Sequence, residues 1–275
     1  MIKGDEEEEE KDESKELHGE DNTLTRCYDS SVRPFVDLVD QLRILGIEKD
    51  IEIPQIAVMG DQSSGKSSVL ESLCGVPFPR GAGLVTRCAT QIRMKKVPSG
   101  STWSARIALS WNENQPKEAG PVSNPAELGE RILQLTEHLL KASGNEFSTD
   151  SIVIDILSSD VPDLTVVDLP GIIRTTVTGQ TTDVITAVNN LIDSYLEQSR
   201  TIILAVIPAN VDIATVAILE KASVVDPSGD RTLGVLTKAD IVDMGAEMEV
   251  VTVLTNQRKP LKNGYNMLRN RNQQE

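Results

Sequence analysis

The sequence predicts an α/β fold, a doubly wound and mostly parallel sheet flanked by helices. Strand-like apolar runs alternate with helical patterns from residue 51 onward, the order that builds βα units. Thr201 to Ile207 is apolar without a break, as expected of a central strand buried on both faces. Aromatic residues are only 3% of the chain while the hydrophobic set reaches 39%. The core must therefore be built from Val, Ile, Leu and Ala, a palette that suits a helix-covered parallel sheet better than an aromatic-rich sandwich.

The elements follow in order. Residues 1–27 stand outside the pattern and read as a disordered acidic tail. Residues 1–21 carry eleven acids against three lysines, a net of −8 out of the chain's −15, so −7 remains for the other 254 residues. The unbroken run Glu6 to Glu10 has no apolar face to bury and should be solvated. Residues 28–50 hold one helix. Tyr28, Val32, Phe35, Val39, Leu42 and Leu45 recur at steps of three and four, Pro34 suits a first turn, and Gly46 suits a stop. This apolar stripe must cover the following domain or join a bundle.

Residues 51–275 form the main domain. Strands are expected at Ile53–Met59, Cys88–Val97, Trp103–Leu109, Ile152–Ile156, Leu164–Val167, Thr201–Ile207 and Thr232–Leu236. Helices are expected at Ser67–Leu73, 125–142, 182–199 and Ile213–Ser223. No internal repeat is present.

Composition excludes several classes. A chain this acidic is repelled by duplex phosphate, so it is no general or sequence-specific nucleic-acid binder. Cys27, Cys74 and Cys88 have no metal-ligand spacing and suit a reducing compartment. No stretch of about 18 apolar residues is available to span a membrane, and the N-terminus lacks the basic-then-apolar order of a signal peptide. The expectation is a cytoplasmic protein, with the nucleus as the alternative. His18 falls in the tail and His138 on a helix, and both read as bystanders.

The sharpest local signal is Gly60-Asp61-Gln62-Ser63-Ser64-Gly65-Lys66-Ser67, which fits G-x-x-x-x-G-K-[ST] between an expected strand and an expected helix. Its glycines let successive N–H groups turn inward, and the helix start that includes Ser68 adds positive potential. Lys66 can reach the outer phosphates and the Ser67 hydroxyl can take one Mg²⁺ position. The fold is therefore a P-loop nucleoside-triphosphatase fold. Asp168-Leu169-Pro170-Gly171 follows a strand, placing a carboxylate to sense Mg²⁺ and a glycine N–H near a terminal phosphate. Thr237-Lys238-Ala239-Asp240 follows another. Asp240 can accept from guanine N1–H and the 2-amino group, donors that adenine does not present, while Lys238 lies along the base. Pro79 to Arg87 is a Gly-rich loop, with Arg80, Gly81 and Gly83, whose Thr86 can close over Mg²⁺.

Four stretches together resemble the dynamin superfamily: Gly60–Glu71, Pro79–Arg87, Asp168–Ile172 and Asp226–Asp240. Asn210–Thr215 and the helix Ser31–Asp40 are most similar to its Mx branch, interferon-induced GTPases of antiviral defence. The likeness runs from about Tyr28 to Glu275. It implies that GTP is bound and hydrolysed to GDP and phosphate with Mg²⁺ held through Ser67, Thr86 and Asp168. It further implies a monovalent cation, K⁺ or Na⁺, held by Ser63 and carbonyls of the loop with Gly81 and Gly83. Gln62 and Thr86 would position the attacking water. Asp212 would reach across a homodimer of GTPase domains to the partner's nucleotide. Asp243 would lie near the base, Asn270, Arg271 and Gln273 would close the guanine and ribose pocket, and residues 28–50 would supply the first helix of a signalling bundle.

Three departures qualify the likeness. Ala239 stands where relatives carry Pro or Leu, and Ile172 to Gln180 differs from the usual switch sequence, which bears on dimer-dependent activation. Family members also continue beyond the guanine loop into further bundle helices and a stalk, so the expectation is a GTPase domain incomplete at its C-terminus. Viral ribonucleoproteins, microtubules or membranes would be partners of a full-length form. The alternatives are a GTP-binding fragment of weak activity and a membrane-remodelling relative.

Overall fold

The computed structural model describes residues 30–44, 54–79, 86–110, 117–144, 147–148, 150–173 and 182–270. The expected acidic tail lies outside them. The chain divides into two compact units, Met1–Ile53 and Pro54–Glu275. In the first, helix α1 spans Arg33–Ile44 with Pro34 in its opening turn, where a missing N–H costs nothing.

The second unit is a nine-stranded sheet. Its strands are β1 (Gln55–Met59), β2 (Thr90–Lys96), β3 (Ser104–Ser110), β4 (Lys117–Val122), β5 (Ser151–Ser158), β6 (Leu164–Asp168), β7 (Thr201–Pro208), β8 (Thr232–Thr237) and β9 (Tyr265–Met267). They lie in the order β4-β3-β5-β2-β6-β1-β7-β8-β9. The block β6-β1-β7-β8-β9 is parallel throughout. Beyond it β2 runs antiparallel to β6 and parallel to β5, and β3 is antiparallel to both β5 and β4.

Helices cover both faces. They are α2 (Lys66–Cys74), α3 (Pro125–Ser143), α4 (Thr182–Leu196), α5 (Ala217–Val225) and α6 (Glu247–Leu254). Strand alternation divides the core in two. Val58, Leu204 and Val206 pack with Val69 and Leu70 of α2 and Leu128, Ile132 and Leu139 of α3. Ala57, Met59, Ile203, Ala205 and Ile207 pack on the other face with Val188 and Ile192 of α4 and Leu219 of α5. This is why β7 is apolar at successive positions rather than alternate ones.

Several boundaries follow from caps. Asn124 accepts from Ala126 N–H to open α3, and Gly144 closes it at φ 67°. The single helix expected at Ile213–Ser223 is instead a 3₁₀ turn, Ile213–Thr215, followed by α5. Asp212 caps the turn through Ala214 N–H, and Val216 is extended, at ψ 110°, between the two. Strands β4 and β9 and helix α6 have no counterpart among the expected elements.

The Asp226–Thr232 stretch ties the sheet's entry side together. The Asp226 carboxylate accepts from Asp230 N–H, Arg231 N–H and the Thr232 hydroxyl. The Arg231 guanidinium donates to the carbonyls of Leu196, Thr201 and Val225 at 2.6, 2.9 and 3.2 Å. One side chain thus fixes the ends of α4 and α5 and the start of β7. At the opposite ends of β1, β6, β7 and β8 the loops gather at one edge, where ligands of open α/β sheets bind.

Gly234 in β8 lies under the Tyr265 ring of β9: a Cβ there would be 2.1 Å from the ring's Cδ1. Gly234→Ala should therefore destabilise the protein by about 1–3 kcal/mol through overpacking. Urea unfolding would show it as a lowered midpoint, and an unchanged midpoint would mean that β9 is free to shift.

Candidate functional site

The loop between β1 and α2 is built around two left-handed residues, Ser63 at φ 60° and Gly65 at φ 99°. Gly60 admits no side chain, because a Cβ would sit 2.3 Å from the Val206 carbonyl oxygen and 2.7 Å from Ser64 Oγ. Lys66, Ser67 and Ser68 open α2, so their N–H groups have no partners within the helix and face the loop end. Ser64 is buried, whereas Gln62 and Ser63 are exposed at the loop tip.

The segment after β6 is laced to this loop. Ile172 N–H donates to the Gly60 carbonyl at 3.1 Å, and Gln62 N–H donates back to the Ile172 carbonyl at 3.4 Å. Gly171 permits the approach, since a Cβ would come within 2.8 Å of Gln62 Cα and 3.2 Å of Lys66 Nζ. Asp168, Leu169, Pro170 and Gly171 are all buried. The Leu169 side chain belongs to the core, so only its backbone is available to a ligand.

Lys66 and Asp168 form the electrostatic centre. Lys66 is buried and its Nζ donates to the carbonyls of Gly60 and Asp61, both at 3.2 Å. Burial pulls its pKa down, opposed by the charges of Asp168 and Asp61. Burial pushes the Asp168 carboxyl up to about 6, opposed by Lys66 and by the Thr86 hydroxyl, which donates to Oδ2 at 3.1 Å. Asp168 Oδ1 is buried with no hydrogen-bond partner. Ser67, Thr86 and Asp168 border one small cavity of about 20 Å³, large enough for a single water-sized occupant. Two hydroxyls and an unsatisfied carboxylate oxygen are hard oxygen donors, the set that Mg²⁺ prefers. These residues therefore fit the ion.

Beside the phosphate loop, buried Thr237 donates its hydroxyl to the Ser64 carbonyl at 2.6 Å. Lys238 turns left-handed at φ 57°, and a 3₁₀ turn over Ala239–Ile241 exposes Asp240. Asp243 is exposed nearby. Asn270 lies against α2: its amide donates to the Ser68 carbonyl at 2.8 Å and accepts from the Ser72 hydroxyl at 2.7 Å. Asp212 caps its own turn and pairs with Arg258 at 2.8 Å. Arg80, Gly81, Gly83, Arg271 and Gln273 lie outside the described residues. Sequence reading overlooked Arg258 and Glu249, which share a cleft with Asp212 and Asp243. Arg258 pairs with a residue 46 positions away, and no local pattern signals it. Cys74 and Cys88 are free and buried, each thiol pushed up to about 12 chiefly by burial, so neither is a nucleophile.

Residues 56–239 match the family model described as the dynamin family. The chain belongs to the dynamin family. It carries a dynamin-type GTPase domain on a P-loop nucleoside-triphosphatase fold. It is 46% identical over 254 residues to the interferon-induced GTP-binding protein Mx of Perca fluviatilis, covering 92% of this chain and 82% of that protein. It is 46% identical over 254 residues to Mx1 of Mus musculus, covering 92% of this chain and 39% of the relative. Against Mx2 of Homo sapiens it is 45% identical over 257 residues, covering 94% of this chain and 35% of the relative. The chain thus spans well under half the length of most of these dynamin-family relatives.

A pH dependence follows from Asp168. With its carboxyl at about 6 in the free protein, the negative charge that attracts Mg²⁺ is present above that pH and lost below it. The gain in affinity for a fluorescent guanine nucleotide on adding Mg²⁺ should shrink between pH 7.5 and 5.5. In Asp168→Asn that gain should be small at both pH values.

Proposed function

We propose that this chain binds GTP with Mg²⁺ and hydrolyses it to GDP and phosphate, as the GTPase domain of an Mx-like protein of innate antiviral defence. The observation that carries the reading is the buried Lys66–Asp168 centre, with an unsatisfied carboxylate oxygen bordering the same small cavity as the hydroxyls of Ser67, at the start of α2, and of Thr86, ahead of β2. Backbone N–H groups at Gly65–Ser68 bind the phosphate oxygens, and Lys66 neutralises the outer ones. Ser67, Thr86 and Asp168 hold Mg²⁺. When bound, the ion offsets charge on the β- and γ-phosphates. Gln62 at the exposed tip orients the attacking water, and the Gly171 N–H stabilises the terminal phosphate. Asp240 accepts from guanine, with Lys238 along the base plane.

The family resemblance extends the proposal to a monovalent cation near Ser63 and to a homodimer of GTPase domains in which Asp212 faces the partner's nucleotide. Turnover would then rise with protein concentration and with K⁺. The interferon-induced character of the relatives supports the antiviral assignment. Viral ribonucleoproteins or cytoskeletal and membrane surfaces are partners of the longer protein under the same proposal.

Phosphate release with GTP, Mg²⁺ and K⁺ tests hydrolysis. Lys66→Ala should abolish it, and a wild-type rate no higher than that variant's would leave a GTP-binding module without turnover. Base recognition is tested separately. Inosine triphosphate lacks the 2-amino donor, so it should bind about 10- to 100-fold more weakly than GTP, the worth of one hydrogen bond to a charged acceptor. Asp240→Ala should erase most of that difference.

A further inference from the structure

Beside the base-recognition turn lies a cleft of about 180 Å³. One wall is the segment leaving β7, Pro208 to Ile213, and the other is α6. Its floor is apolar and buried, with Ile207, Leu236 and Val253. Its rim carries Asp212, Asp243, Glu249 and Arg258. Arg258 is the cation that spans this cleft: one guanidinium nitrogen lies 2.8 Å from Asp212 on the first wall, and another lies 3.4 Å from Glu249 on the second.

The Arg258 backbone is itself anchored, because the N–H groups of Gln257 and Arg258 both donate to the Thr252 carbonyl at the end of α6. The guanidinium therefore projects from a fixed turn. Asp212 is fixed in its own way, with a carboxylate oxygen on Ala214 N–H and its carbonyl accepting from the Thr215 hydroxyl. The wall that Arg258 grips is joined directly to the nucleotide site. Ala209 N–H donates to the Thr237 carbonyl at 2.8 Å, and Thr237 in turn binds the Ser64 carbonyl of the phosphate loop.

We infer that Arg258 is a positioning residue: by bridging Asp212 and Glu249 it holds the Ala209–Ile213 segment against Thr237 and so sets the base-recognition turn Thr237–Asp240. The inference rests on the GTP-binding reading for its effect on affinity, but the strap itself does not. A planar fork with two donor edges suits a bridge between carboxylates on separate elements, whereas a lysine ammonium is a single point charge. Arg258→Lys should therefore restore only part of the function, chiefly the shorter contact to Asp212.

Two measurements on the full chain test this. Hydrogen exchange without nucleotide reads the strap: in Arg258→Ala, amides of 209–213 should exchange at least three-fold faster than in the wild type, while those of β1 and β6 should not change. Titration with a fluorescent GTP analogue reads the consequence: the dissociation constant should rise about three- to ten-fold in Arg258→Ala and less in Arg258→Lys. Asp212→Asn keeps Oδ1, which accepts from both Ala214 N–H and Arg258, and removes only the charge, so its effect on exchange at 209–213 should be smaller than that of Arg258→Ala and should largely vanish in the Arg258→Ala background. Unchanged exchange at 209–213 would overturn the strap. Faster exchange with unchanged affinity would overturn its link to the base-recognition turn, as would full additivity of the two substitutions. A wild-type chain that binds no guanine nucleotide would overturn the GTP reading instead, and the exchange experiment would still decide the strap.

Discussion

A lysine and an aspartate buried together, neither fully satisfied by the protein, set the terms for the rest of the structure. Lys66 and Asp168 stand at the exits of neighbouring parallel strands, β1 and β6. Removing two charges from water costs several kcal/mol each, and their mutual attraction recovers it only where further partners complete the shell. Lys66 finds two loop carbonyls, Asp168 finds the Thr86 hydroxyl, and one Asp168 oxygen is left over. Burial pushes the Asp168 carboxyl up to about 6, and Lys66 and the Thr86 hydroxyl only partly oppose it. A polyphosphate carrying Mg²⁺ would complete both sides, with anionic oxygens for Lys66 and a cation for Asp168. The same physics explains why an acidic protein can bind a highly charged anion. Of the net charge of −15, −8 falls in residues 1–21, and charges more than about 10 Å away are largely screened, whereas Lys66 and the first N–H groups of α2 act at contact distance.

Holding that pair in place requires backbones closer together than side chains allow. Gly60 admits the Val206 carbonyl, and Gly171 admits Gln62. The Asp61–Ile172 bridge then extends the parallel pairing of β1 and β6 past the strand ends and into the loops. The start of the phosphate loop is thus a continuation of the sheet, between the two packed cores. Positive φ at Ser63 and Gly65 is the local cost of turning that extension into the start of α2.

The parts legible in the sequence were those whose cause is local. The motif Gly60–Ser67, the uninterrupted run of β7 and the helical spacing over 125–142 each carry their own signal within a few residues. What escaped was decided at a distance. Strand β4, Lys117–Val122, contains Gly120 and Pro121 and few apolar residues. It exists because β3 offers it an edge, and a register shift between Ile107 and Ala108 accommodates it. Strand β9 is three residues long and is fixed by Tyr265 lying over Gly234. Helix α6 is rich in valine, which gives no clear helical preference, so packing decides it. The helix expected at 213–223 breaks at Val216, whose extended backbone at ψ 110° separates the capped 3₁₀ turn from α5. The hold of Asn270 on α2 through Ser68 and Ser72 links positions about 200 residues apart and has no local signal.

Thr237 shows how the two halves of the candidate site are made into one. Its hydroxyl donates to Ser64 of the phosphate loop, its carbonyl accepts from Ala209, and the next residues form the turn that carries Asp240, the residue proposed to read the base. Gly65 lies so near that a Cβ would sit 3.1 Å from the Thr237 hydroxyl. Any shift of the phosphate loop must therefore move Thr237, and any shift of Thr237 must move the turn that carries Asp240. A threonine suits this position because its branched side chain is stiff at χ1 and holds the hydroxyl on one bearing. The phosphate loop and the Thr237–Asp240 turn come from segments more than 170 residues apart, yet a buried hydrogen bond joins them directly. Under the proposed GTP reading, the reach from phosphate to base is set where these two segments meet.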